Sequence, residues 1–112
     1  MSKPAQRITS RYAREAAELL GSMIHAARIE RKLTATDVAE RAGVSRGLLH
    51  RIEKGDAGCS IGATFEVAAI VGLQLFEADS TTLTRYLSMS RDKLTLLPKA
   101  VRTGTAETAD DF

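Results

Sequence analysis

Apolar positions in this chain recur at helical spacing and almost nowhere at strand spacing. Between residues 11 and 31, Ala13, Ala17, Leu20, Ile24 and Ala27 follow one another at steps of four and three, the mark of one buried helical stripe. The next run, LTATDVAERAGVSRGLLHRIEKG at 33–55, divides into two short helices. Thr34 is a helix cap, with Asp37 at capping-box distance behind it. Val38, Ala39 and Ala42 give the helix at about 35–42 a small apolar side, and Gly43 ends it. Ser45 caps the following helix at about 46–54, with Leu48, Leu49 and Ile52 on its inner side and Gly55 at its close. Ser60 starts a helix to about Val71 that turns Ile61, Phe65, Ala68 and Ala69 inward, and Gly72 stops it. Leu73, Leu75 and Phe76 form a short fifth segment. Ser80 or Thr81 opens a last helix through Leu83, Tyr86, Leu87 and Leu94. No strand pattern of useful length and no internal repeat occurs. The pattern predicts an all-α fold of five to six helices.

The pair at 35–42 and 46–54 carries the chemistry. Two short helices joined by a tight turn at a steep angle can push the second into a DNA major groove. That second helix holds Arg46, His50, Arg51 and Lys54, with Gly47 leaving room for close approach. Arginine suits bidentate contact with O6 and N7 of guanine, which discriminates by about 1–3 kcal/mol.

These residues resemble the helix-turn-helix of the Xre/Cro family of DNA-binding regulators. The resemblance rests on Leu33-Thr34, Val38-Ala39, Ala42-Gly43-Val44-Ser45, Arg46 and Arg51-Ile52-Glu53-Lys54-Gly55, with Ile24, Ala27 and Arg28 upstream and 60–73 downstream. It covers roughly residues 16–75 and implies a compact, lambda-repressor-like domain. It also implies that Arg46, Gly47 and Arg51 read bases, that Thr34, Thr36, Ser45, His50 and Lys54 lie at the DNA, and that Arg28 pairs with Glu53 as a structural ion pair. Ala35 departs from the family, which usually carries there a glutamine that bonds the DNA backbone. Leu48 stands where the family has a small polar residue; it either meets a thymine methyl or widens the core stripe.

A narrower resemblance lies in RDKLTLLPKAVR at 91–102 and the closing ADDF. It is similar to the end of HipB-type antitoxins, which repress the operon they share with a HipA-like kinase toxin. The resemblances together imply a homodimeric repressor on a pseudo-palindromic operator of double-stranded DNA, with such a toxin as a further partner. Two alternatives stay open: a stand-alone Xre regulator, and a protein-interaction module that no longer binds DNA.

Composition narrows this picture. The 112 residues support one modest core, organised as a flexible basic arm at 1–10, the DNA-binding domain at 11–76, a helical extension at 77–97 for dimerisation and a flexible acidic tail at 98–112. The arm, with Lys3, Pro4 and Arg7, is either a frayed end or a groove contact. Phe112 beside Asp110 and Asp111 is an anchor for a basic pocket on a partner. The net charge is only +2, yet residues 1–58 carry eleven Lys/Arg against seven Asp/Glu, and 59–112 carry five against seven. The positive half holds the helix pair, as a phosphate-facing surface requires. One cysteine, Cys59, excludes an intramolecular disulfide and suits the cytoplasm; it reads as a small apolar filler. No apolar run reaches membrane-spanning length, so no membrane contact is expected. Scattered His25, His50 and Cys59 offer no typical zinc site, and no phosphate loop, nucleophile elbow or paired-carboxylate motif occurs, so neither cofactor nor catalysis is expected.

Overall fold

The computed structural model describes residues 10–101. The expectations placed on the arm at 1–9 and on the tail at 102–112, Phe112 included, lie outside the described residues. Five helices follow one another: α1 Arg11–Glu30, α2 Ala35–Ala42, α3 Arg46–Glu53, α4 Ile61–Ile70 and α5 Ser80–Leu96, with one tight turn at Leu75–Glu77. The fold is all-α, and no strand forms among the described residues.

Each helix starts where a short polar side chain accepts an otherwise orphaned N–H. Ser10, Thr34, Ser45 and Ser60 accept from Ala13, Asp37, Leu48 and Ala63, at 3.0–3.2 Å. A cap of this kind is worth about 1 kcal/mol. Helix α5 starts at Ser80, as the pattern predicts, and Asp79 before it caps the helix by accepting from Thr82 N–H at 2.8 Å. Behind Thr34, Asp37 contributes its backbone N–H; its carboxylate makes no return bond, so the capping box is half formed.

The chain divides into two units, residues 1–75 and 76–112. In the first, α1 packs on α3, and α2 packs on both α3 and α4. Ile24, Val38, Leu49, Val67 and Val71 are fully buried at the centre, with Ala39, Ile52 and Ala68 beside them. Leu48 is half-buried against this core, and of its two readings the packing favours the widened stripe. Two expectations for α4 fail. Ile61 is 70% exposed and Ala69 is exposed, whereas Val67, Ala68 and Val71 are buried. The helix IGATFEVAAI is apolar nearly all round, so periodicity does not select its inner face; packing against α2 does.

The contact between α1 and α3 is made by backbone. Gly21 on α1 is buried, and a Cβ there would sit 2.8 Å from the Gly55 nitrogen and closer still to the Ile52 carbonyl. Gly55 has φ 81° and ends α3; a Cβ there would lie 2.6 Å from Glu18 Cα. Two glycines on facing segments thus let the end of α3 lie directly on α1, which sets its tilt.

The second unit holds α5. None of its residues is buried, and Leu83, Leu87 and Leu94 recur along it at steps of four and seven.

Gly21→Ala should lower stability by about 1–3 kcal/mol, because neither facing backbone group can yield without separating α1 from α3. A Cβ at Gly62, inside α4, meets nothing within 4 Å, so Gly62→Ala should raise stability by about 0.5–1 kcal/mol. Urea midpoints for the two variants check the opposite signs; equal effects would refute the packing assignment.

Candidate nucleic-acid interface

The N-termini of α2 and α3 are chemically alike. The Thr34 Oγ1 and Ser45 Oγ oxygens accept one N–H each, so each hydroxyl keeps its own proton to donate. The first two N–H groups of each helix, at Ala35 and Thr36 and at Arg46 and Gly47, have no partner among the described residues. Hydroxyl donors and unpaired N–H groups at a helix start make a ready phosphate contact. Ala35 brings no side-chain donor here, but its N–H remains.

Helix α3 presents the cations. Arg46, Gly47, His50, Arg51 and Lys54 are all exposed. A Cβ at Gly47 would approach only Ser45 Oγ, at 3.9 Å, so this face of α3 is open. Arg46, Gly47 and His50 line an open cleft together with Arg28, Ala35, Leu49 and Glu53. The start of α2, the end of α1 and the outer side of α3 therefore share one surface. Arg51 behaves differently from Arg46. Its Nε donates to Asp56 Oδ2 at 3.0 Å, beyond the end of α3.

Behind that surface, Glu53 joins α1 to α3. Arg28 Nε donates to Glu53 Oε2 at 2.6 Å and Arg28 Nη2 to Oε1 at 3.1 Å, a two-point contact. Arg28 Nη1 also donates to the Leu33 carbonyl at 3.1 Å, which ties the link before α2 to the same group. Both ionic side chains are nearly covered, at 12% and 9% exposure. His25 Nδ1 lies 2.6 Å from the same carboxylate. Linear spacing shows neither this third partner nor Asp56. The only signal for Asp56 was local, an aspartate two residues before Gly58, whose N–H it caps in a tight turn at 2.7 Å.

Burial pushes the Glu53 carboxyl up, but hydrogen bonds from Arg28 and His25, and their charge, hold it below the usual carboxylate value. Burial also pushes the Cys59 thiol up, with Arg51 opposing and Asp56 adding to it, which disfavours the reactive thiolate. Cys59 packs on the edge of the core. Among the described residues, no group of three or more His, Cys, Asp or Glu is placed to hold a metal ion, and no helix is long and apolar enough to cross a membrane.

The family described as a helix-turn-helix domain matches residues 19–81, which takes in the later part of α1, all of α2 to α4 and the surface formed by α2 and α3. No curated protein and no solved structure matches the chain.

The Glu53 carboxylate has its pKa lowered by folding. Its contribution is fully present above the ordinary value of about 4.3 and is lost as pH falls through the lower folded value. Glu53→Gln should cost about 3 kcal/mol at pH 7, since it leaves Arg28 covered and unpaired. The variant should also lose less stability than the parent between pH 5 and strongly acid solution, as urea midpoints across that range would show. An unchanged acid profile would mean that Glu53 does not supply this pH dependence.

Proposed function

This chain belongs to the helix-turn-helix domain family of DNA-binding regulators, and on that footing we propose that it is a sequence-specific repressor that reads double-stranded DNA with α3. The observation that carries the reading is the shared surface of α2 and α3. Unpaired helix-start N–H groups and two hydroxyls flank a row of exposed cations on a helix whose tilt is fixed from behind. Arg46 and Arg51 read base edges and Gly47 permits close approach. Thr34, Thr36, Ser45, His50 and Lys54 meet the phosphate walls of the groove.

The active species in this proposal is a homodimer on a pseudo-palindromic operator. Its support is α5, whose Leu83, Leu87 and Leu94 lie exposed at helical spacing, a stripe that a second copy of the same helix can cover. Symmetric half-sites then lie about 34–36 Å apart, one turn of duplex. An antitoxin role beside a HipA-like kinase toxin is the narrower form of the proposal and rests on the run at 91–102 alone. Without that partner the same reading describes a stand-alone regulator.

Selection from a randomised duplex pool should yield a two-fold symmetric consensus. Arg46→Ala should then weaken binding to it by about 1–3 kcal/mol and flatten preference at one base pair of each half-site. An equal loss on scrambled duplex would reassign Arg46 to phosphate, and a pool without consensus would refute specific reading. Leu83→Glu/Leu87→Glu should give a monomer in sedimentation; a persistent dimer would remove α5 from the interface.

A further inference from the structure

We propose that Asp56 is a positioning residue for base recognition: its carboxylate takes the Nε–H of Arg51 and aims the remaining guanidinium edge at a guanine. This rests on the proposal that Arg51 reads a base.

The carboxylate is itself fixed. Asp56 N–H donates to the Arg51 carbonyl at 3.0 Å, so the residue is tied to the end of α3. Asp56 Oδ1 accepts from Gly58 N–H at 2.7 Å, and Cys59 N–H donates to the Asp56 carbonyl at 3.3 Å. One carboxylate oxygen thus holds the turn, and the other, Oδ2, holds Arg51 at 3.0 Å. The Gly58 N–H and the Arg51 guanidinium keep the carboxyl below the usual carboxylate range, so it is ionised wherever DNA binding is measured.

The consequence for Arg51 is geometric. A guanidinium has five N–H donors, and Asp56 uses one of them, at Nε. The four N–H groups on the two terminal nitrogens have no partner among the described residues. Two parallel N–H groups are what O6 and N7 of guanine accept. An unrestrained arginine surrenders rotamer freedom when it binds, whereas one already paired through Nε has surrendered part of it in the free protein. The pair is half-exposed, at 54% and 40%, so it adds little to stability and the fold does not require it. Its negative charge near DNA repels phosphate, and the local +1 of Arg51 offsets it. A residue of that kind raises discrimination more than affinity.

The test uses the full chain, the duplex selected from the randomised pool, its single-base variants and a scrambled duplex. Asp56→Asn keeps an oxygen for Gly58 N–H and removes the charged acceptor for Arg51. It should narrow discrimination at one base pair per half-site by about three- to tenfold, the same pair that Arg51→Ala flattens by about tenfold or more. Affinity for scrambled duplex should stay level or rise. Asp56→Glu, which restores a carboxylate, should recover part of the preference. Tighter specific binding by Asp56→Asn with preference intact would overturn the proposal and make Asp56 a restraint on Arg51. No change in preference would overturn it as well. If Arg51→Ala itself leaves the preference intact, the base-reading role of Arg51 fails first, separately from the role of Asp56.

Discussion

The direct backbone contact between α1 and the end of α3 is the constraint on which the proposed DNA-binding surface depends. An α-helix normally keeps a neighbour at the distance its side chains dictate. Here Gly21 and Gly55 remove those side chains on both partners: the Ile52 carbonyl and the Gly55 nitrogen lie against Gly21, and Glu18 Cα lies against Gly55. The approach fixes the depth and tilt of α3, and through them the direction in which Arg46, His50 and Arg51 project. The core residues Ile24, Leu49 and Ile52 fill in behind this contact; they stabilise the arrangement without by themselves defining its angle.

Glu53 adds direction to that close approach. Its carboxylate receives Arg28 at two points and His25 at a third, all from α1, and Arg28 reaches on to the Leu33 carbonyl ahead of α2. One charged group therefore registers α1, the start of α2 and the end of α3. A buried ion pair of this kind adds little net stability, because desolvation offsets the attraction. What it supplies in this fold is a geometry that two apolar surfaces, free to slide, would not hold. The surface is stiff at its back and polar at its front.

The local parts of this design were legible in the sequence. Thr34, Ser45 and Ser60 precede their helices, Gly43, Gly55 and Gly72 follow them, and such capping needs no tertiary information. The parts that depend on distant partners were not. Gly21 sits inside a good helical stripe, and its necessity appears only when Ile52 and Gly55 arrive thirty residues later in the chain. The tie of His25 to the site was not legible either, because its partner stands on α3. The inner face of α4 was misread at Ile61 and Ala69, because a helix apolar on every side has no periodicity to read. For the candidate site, exposure and helix position followed from the pattern, while the tie from Arg51 to Asp56 emerged only with the conformation of the turn after α3.

The DNA contact proposed here is the surface made by the N-termini of α2 and α3 and the outer side of α3. Titration of the isotope-labelled protein with its selected duplex, followed through backbone amide and arginine Nε–H resonances, tests it most directly. The account predicts the largest shifts at Ala35–Asp37, at Ser45–Lys54 and at the Arg46 and Arg51 side chains, with the amides of α4 and α5 little changed. Shifts concentrated on α4 or α5, with α3 silent, would contradict it.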